Sequence, residues 1–562
     1  MANWKRLIAL ALSGALCLVL LAGCAGEDEA FTLSVCVGGT PESLDPIYAQ
    51  MAGDQTILNH LYENLMRVAV DVSGEATVTN GMAKSVEQEE NQDGTVTYTF
   101  RLRSAKWSDG RNVRAADFVY AWRRLANPAT QSPYAALLSN VVGYEEARNS
   151  GEMSQLQVTA KNDNTLVVNL NGNHEWFLRE VCTSPATMPL RQDVLAKLKE
   201  EAAEQNNLSS GGEMEHRWWW DPTALVTNGP YQVSGYAKGA SLTVIANERY
   251  YSTAARPASL IFYFASTAEA AQTLYDEQTV DVVSPLPEAR LAELSMEEDW
   301  TPTPELTTYA ALFNGNREPM SDILIRQSLC LAIDRNALAE AAGSAARAAG
   351  GIVPPGVPDS GEEEEDFRET AGTLLDNRPE NYENATIQAK TLLADAGYDS
   401  GAALGELEFL YAEEGNNKAV AEALCRMWQE TLQIQVTPRG LSAADLAAAL
   451  GSGEYDLAGL ALTAHANDAE CFLRRWISGR PENVVGYANS AYDTLMAIVS
   501  TAMDGSARLG CLHDAEALIL SDYALAPLYT EGTGWEVRET LAGVCRDARG
   551  WFSFSNVLER KA

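Results

Sequence analysis

The chain has 562 residues, 77 acidic and 41 basic, for a formal net charge of −36. A polyanion of this size is repelled by nucleic acid and by anionic lipid headgroups, which excludes both as partners. Its length exceeds what one hydrophobic core supports, so two or three lobes are expected.

The first residues read MANWKRLIALALSGALCLVLLAGC. Lys5 and Arg6 form a basic start, Leu7 to Leu21 an apolar run, and Ala22-Gly23 a small-residue cleavage site, so residues 1–23 are expected to be a signal peptide. Cys24 would then be the first mature residue and a lipid acceptor, because Leu21-Ala22-Gly23-Cys24 resembles the lipobox of bacterial lipoproteins. No other segment approaches the ~18 uninterrupted apolar residues of a membrane span, so the mature chain is expected to be tethered only at its N-terminus. Cys36, Cys182, Cys330, Cys425, Cys471, Cys511 and Cys545 are scattered singly, without zinc-ligand spacing or a disulfide pattern.

Phe31 to Val37 reads as a strand, closed by Gly38-Gly39-Thr40-Pro41. In GDQTILNHLYENLMRV, Ile57, Leu58, Leu61, Leu65 and Met66 recur at helical spacing. Tyr98, Phe100 and Leu102 alternate with Thr99, Arg101 and Arg103, a half-buried strand. Ser108-Asp109-Gly110 makes a turn, and Phe118, Trp122 and Leu125 then form one helical stripe ended by Asn127-Pro128. Strands follow at Asn164–Leu170, around Val226–Tyr236 and at SLTVIANERYY, with helices at Leu324–Arg335 and Asn384–Tyr398. NKAVAEALCRMWQETLQIQVTP reads as a helix running into a strand, so the lobes are α/β. The acidic segment from Gly350 to Asn384, including Gly361-Glu-Glu-Glu-Glu-Asp366, reads as an exposed excursion. His216 beside three tryptophans in EMEHRWWWDP reads as a lobe-edge packing cluster, with a carbohydrate platform as the alternative.

Several motifs occur in one order: SLDP, LYENLMR, TFRLRSAKWSDGRNVRAADFVYAWRRLANPATQSPYA, TNGPY, FNGNREPMSDILIRQSLCLAIDR, AKTLLADAGY, EALCRMWQETLQIQV, DYALAPLY and WFSFSNV. Together they resemble the oligopeptide- and dipeptide-binding solute-binding proteins of ABC transporters, over about Phe31 to Val557. The resemblance implies a two-lobed periplasmic-binding-protein-like α/β fold with a hinge and an extra inserted domain. It places the first lobe at 30–66, 225–308 and 534–562, the inserted domain at 67–224 and the second lobe at 309–533. It implies a peptide or peptide-like ligand, ABC permease and ATPase partners, an extracytoplasmic monomer, and neither cofactor nor catalysis. One departure is Arg114, where the family usually has a threonine N-cap. Asp117 lies where it can compensate.

In that family a carboxylate pairs with the peptide's α-amine, in a block that here reads LALTAHANDAECFL. Aligned without gaps from Tyr455-Asp456 to Phe472-Leu473, His465 stands where the aspartate is expected and Leu462 where a tryptophan is. Ala310, Ala443 and Glu531 similarly replace expected aromatics. Three readings stay open: Asp468 or Glu531 supplies the negative charge, the ligand lacks a free α-amine, or His465 is a cleft-wall histidine contacting nothing. The resemblance also offers Tyr48, Tyr134, Asn228, Tyr309, Asn314 and Asn467 as lining residues. No two of the five histidines are four apart, so no metal site is expected. GxSxG, HExxH and phosphate-loop motifs are missing, and nothing singles out a carboxylate pair for a glycosidase among 77 acids. A peptide-sensing role in signalling is the remaining rival to transport.

Overall fold

The computed structural model describes residues 31–70, 76–174, 176–206, 218–252, 257–359, 365–464, 466–502 and 505–560. The signal segment, Cys24, His216, His465 and most of the acidic run at 361–366 lie outside the described residues.

Three larger sheets organise the described residues, and only the first draws its strands from separated stretches of the chain. The first lobe has six strands in the order Glu536–Val537, Val282–Val283, Thr32–Cys36, Ser259–Tyr263, Ser241–Ala246 and Tyr231–Ala237. The inserted domain carries Ala83–Glu90, Val96–Leu102, Thr165–Leu170 and Val158–Asn162 in one antiparallel sheet. The second lobe orders Arg347–Ala348, Leu525–Thr533, Thr303–Phe313, Leu457–Thr463, Glu406–Ala412 and Gln435–Leu441.

One apolar cluster runs from Leu33 and Val35 of the first lobe to Phe100, Phe118 and Trp122 of the inserted domain. These two domains therefore share a core. The second lobe has two clusters of its own, and Ala466 and Cys471 reach from it into the shared core. Tyr309, Ala311 and Phe313 of its central strand face one cluster, while Leu306, Ala310 and Leu312 face another. A strand buried on both faces reads as a continuous apolar run, which is why YAALF shows no alternation.

Asp45 of SLDP ties the first lobe to the inserted domain. Its fully buried carboxylate accepts from Arg124 Nη1 and Nη2 at 2.8 and 2.6 Å and from Trp218 Nε1 at 2.6 Å. Trp218 of the tryptophan run is thus a packing and hydrogen-bonding residue of this junction. KWSDG is a structural turn, with Trp107 buried and its Nε1 3.1 Å from Asp117. Asp117 also accepts from the Arg114 N–H at 2.9 Å, the half of a capping box that the third helical residue supplies, while no side chain at Arg114 caps the helix.

Two expectations need correction. The helix predicted through Met66 is Ala52–Leu61, and Met66–Val70 is a strand. The Asn228 side chain accepts from Glu63 N at 3.1 Å and donates to Glu63 O at 3.0 Å, so a contact 165 residues away ends the helical run. The Gly350–Asn384 segment is not a simple exposed excursion. Ile352, Val353, Val357 and Phe367 are fully buried, and Arg368 pairs with buried Glu516. The acidic composition masks these apolar anchors.

Candidate functional site: two cavities along the hinge

The strands Thr303–Phe313 and Leu525–Thr533 connect the lobes and pair antiparallel, but their ladder is interrupted. Pro304 pairs with Gly532 and Thr308 with Thr530, leaving Glu305, Leu306 and Thr307 opposite Glu531 alone. Such irregularities re-aim side chains. Glu531 has no hydrogen bond or ion pair among the described residues and lines a cavity of about 380 Å³. That cavity is also lined by Tyr309, Tyr529, Glu288, Glu414 and Asn416. The Tyr309 and Tyr529 rings stack at 5.2 Å, and the buried Tyr309 hydroxyl has no partner among the described residues. Burial, reinforced by the charge of Glu305, pushes Glu531 up to about 7.

A second cavity, about 510 Å³, draws walls from all three domains. Arg179 and Glu180 come from the inserted domain, Gly356–Pro358, Glu365, Asp366, Glu369 and Asn467 from the second lobe, and Arg546–Arg549 from the C-terminal segment. Asn467 N donates to Glu180 Oε2 at 2.8 Å, and Arg179 Nη2 donates to Asn467 O at 3.2 Å. Behind Asn467, the Asp468 carboxylate accepts from Arg508 at 2.7 and 3.1 Å, and Arg179 lies 3.6 Å away. Burial alone would raise the Asp468 pKa; the Arg508 guanidinium, helped by Arg179, holds it below the usual carboxylate range. Arg508 also reaches Glu470 at 2.9 Å.

Of the residues singled out from the sequence, Tyr309 and Glu531 meet in the smaller cavity and Asn467 lines the larger. Asp468 sits behind it, committed to Arg508. Tyr48, Tyr134, Asn228 and Asn314 line neither cavity. Their polar atoms tie backbone together. Tyr48 donates to Thr130 O at 2.6 Å, Tyr134 to Ala49 O at 3.0 Å, and Asn314 to Gly453 O and Tyr455 O at 3.0 and 2.8 Å. Asn228 clasps Glu63 as described. Arg179, Glu180, Glu305, Arg508 and Arg546 escaped the sequence reading, because their partners lie far apart in the chain and no spacing marks them. Among the described residues no cluster of metal-ligating side chains is present, and no helix is long and apolar enough to cross a membrane.

The family model for bacterial extracellular solute-binding proteins, family 5 Middle, matches residues 77–483. The chain belongs to that family. The periplasmic murein peptide-binding protein MppA of Escherichia coli K12 is 27% identical over 516 residues, covering 90% of this chain and 88% of the relative. The probable deoxycholate-binding periplasmic protein YgiS of the same organism is 27% identical, covering 87% and 86%. The solved structure of Haemophilus influenzae OppA in complex with RPPGFSPFR superposes with a TM-score of 0.70 at 26% identity, covering 95% of this chain and 100% of the other. Murein peptide, deoxycholate and the peptide RPPGFSPFR are the ligands named for these three, and the shared fold is a two-lobed one.

Proposed function

We propose that this protein is an extracytoplasmic binding protein that hands a peptide or peptide-like solute to an ABC permease and its ATPase, anchored by lipid on Cys24. The observation that carries the reading is the cavity of about 510 Å³ walled by all three domains, in a chain of this family. A solute held there touches both sides of the hinge, so binding favours closure over the open form. In this reading the solute extends from the larger cavity across the hinge to the smaller one, where Glu531, a carboxylate without a partner among the described residues, receives its cationic group. Asp468 is a poorer candidate, because an ammonium would have to compete with Arg508.

A second reading is that the solute lacks a free α-amine. The saturation of Asp468 by Arg508 favours it, as does His465 at the position where the family's aspartate is expected. Calorimetry with tri- to pentapeptides, free and N-acetylated, separates the two after mass spectrometry of whatever co-purifies. Under the first reading Glu531→Gln weakens only the free-amine peptides, by about tenfold or more. Equal affinities for free and acetylated peptides would support the second, and His465→Asp should then create a preference for the free amine. If no peptide binds and the co-purifying solute is not peptide-like, the proposal is wrong.

A further inference from the structure

We propose that the inserted domain is a latch on the second lobe, and that Arg179 and Glu180 set how far the protein stays closed before any solute arrives. The inference goes beyond the proposed function and holds whichever solute is bound. Glu180 Oε2 accepts from Asn467 N at 2.8 Å, and Arg179 Nη2 donates to Asn467 O at 3.2 Å. Two adjacent side chains of the inserted domain thus take both backbone polar groups of one residue in the second lobe. Arg179 also lies 3.6 Å from Asp468, the next residue along.

The grasping end is firmly mounted. Arg179 and Glu180 stand in the π-helical turn Phe177–Val181, whose end residues are buried in the core shared by the first lobe and the inserted domain. Such turns are rare and occur mostly at functional sites. The Glu180 side chain is 2% exposed and is held from its own side by Arg179 Nε at 2.9 Å and Arg549 Nη1 at 3.5 Å. The carboxylate therefore keeps two guanidinium partners when Asn467 leaves. The inserted domain need not rearrange to release or recapture the lobe.

The grasped end moves with the second lobe. Asn467 Nδ2 donates to Gly356 O at 3.0 Å, and Asp468 is gripped by Arg508. Around the two latch bonds the apposed groups are small. Ala466 and Cys471 touch the shared core, and a Cβ on Gly172 would stand 3.2 Å from Ser500 O, near the end of the helix Ser490–Thr501. Opening breaks two charge-assisted hydrogen bonds and leaves the Asn467 N–H and C=O at the wall of the larger cavity, where water takes over. Neither form strands a buried charge, so the contact is reversible. Ligand-free molecules then divide between latched and open forms, and a solute that needs the closed form binds in proportion to the fraction latched.

The test uses the full chain, dialysed free of co-purifying solute, as native protein and as Arg179→Met. Hydrogen exchange reads the Asn467 amide and small-angle scattering reads the shape. In Arg179→Met the amide should exchange about threefold or more faster than in the native protein, and the radius of gyration should be larger. A side chain that only supports the fold would lower the unfolding midpoint and leave the radius of the folded protein as it was. An unchanged radius in folded Arg179→Met therefore overturns the proposal. Should that variant not fold, the native protein decides: a protected Asn467 amide supports the latch, and one that exchanges as fast as an unprotected amide overturns it.

Discussion

Arg508 grips Asp468 with both terminal nitrogens, at 2.7 and 3.1 Å, inside a region where both side chains are almost fully buried. The pair lies immediately behind the cavity wall formed by Asn467. It fixes the loop that meets the inserted domain through Glu180.

Arg508→Met should therefore destabilise the protein by about 3–5 kcal/mol, because Asp468 and Glu470 would be left buried without their shared cation. Urea denaturation measures this. The Asp468 pKa is depressed in the folded state, so its contribution is present above the unfolded carboxylate value and is lost as pH falls through the folded one. The penalty of Arg508→Met should accordingly shrink in acid. A cost that is the same at pH 7 and pH 3 would contradict this account.

Glu531 has the opposite sign. Its folded pKa, about 7, lies above the ordinary glutamate value, so the folded state holds the proton more tightly and stability falls as pH rises towards 7. Glu531→Gln should raise stability at pH 8 by about 1 kcal/mol after allowance for solvent screening, and leave it unchanged at pH 4. Thermal melts of both forms across pH 4–8 would reveal the divergence, and parallel curves would refute it.

Tyr309→Phe removes a hydroxyl that has no hydrogen-bond partner among the described residues. The ligand-free protein should be as stable as the native form or gain up to about 1 kcal/mol, since an unsatisfied buried polar group is a cost. A loss above about 1 kcal/mol in chemical denaturation would mean that the hydroxyl is satisfied.

Ligand at about 100 times its dissociation constant should add about 2.7 kcal/mol of apparent stability. Small-angle scattering at that saturation should give a smaller radius of gyration. An unchanged radius would argue against closure about the hinge.

Cys24→Ala should move the protein from the membrane fraction to the soluble fraction. Retention on membranes after a high-salt wash would place the anchor elsewhere.

The architecture was legible because its signals are local. Alternation at Tyr98–Leu102 and the Phe118, Trp122, Leu125 stripe became the strand Val96–Leu102 and the helix Ala115–Ala126. The end of the Ala52–Leu61 helix was not legible, because Asn228 sets it from another part of the chain. The cavities were harder still. Glu531 could be noticed as an acid where aromatics are usual, but Arg508 carries no such mark. Its role depends on Asp468 and Glu470, which packing brings to it from another part of the chain.

The interrupted ladder at Glu305–Thr307 has a mechanical meaning. A continuous two-stranded ribbon resists flexing because its rungs must stretch or break, whereas the connection here lacks rungs opposite Glu531. Leu306 and Thr307 remain held on their other edge by Ala464 and Thr463, so a change in the angle between the lobes has to be taken up beside Glu305. Under the proposed function, the free energy of gripping a solute sets the angle between the lobes at that one step, and that angle is what a docking permease would read.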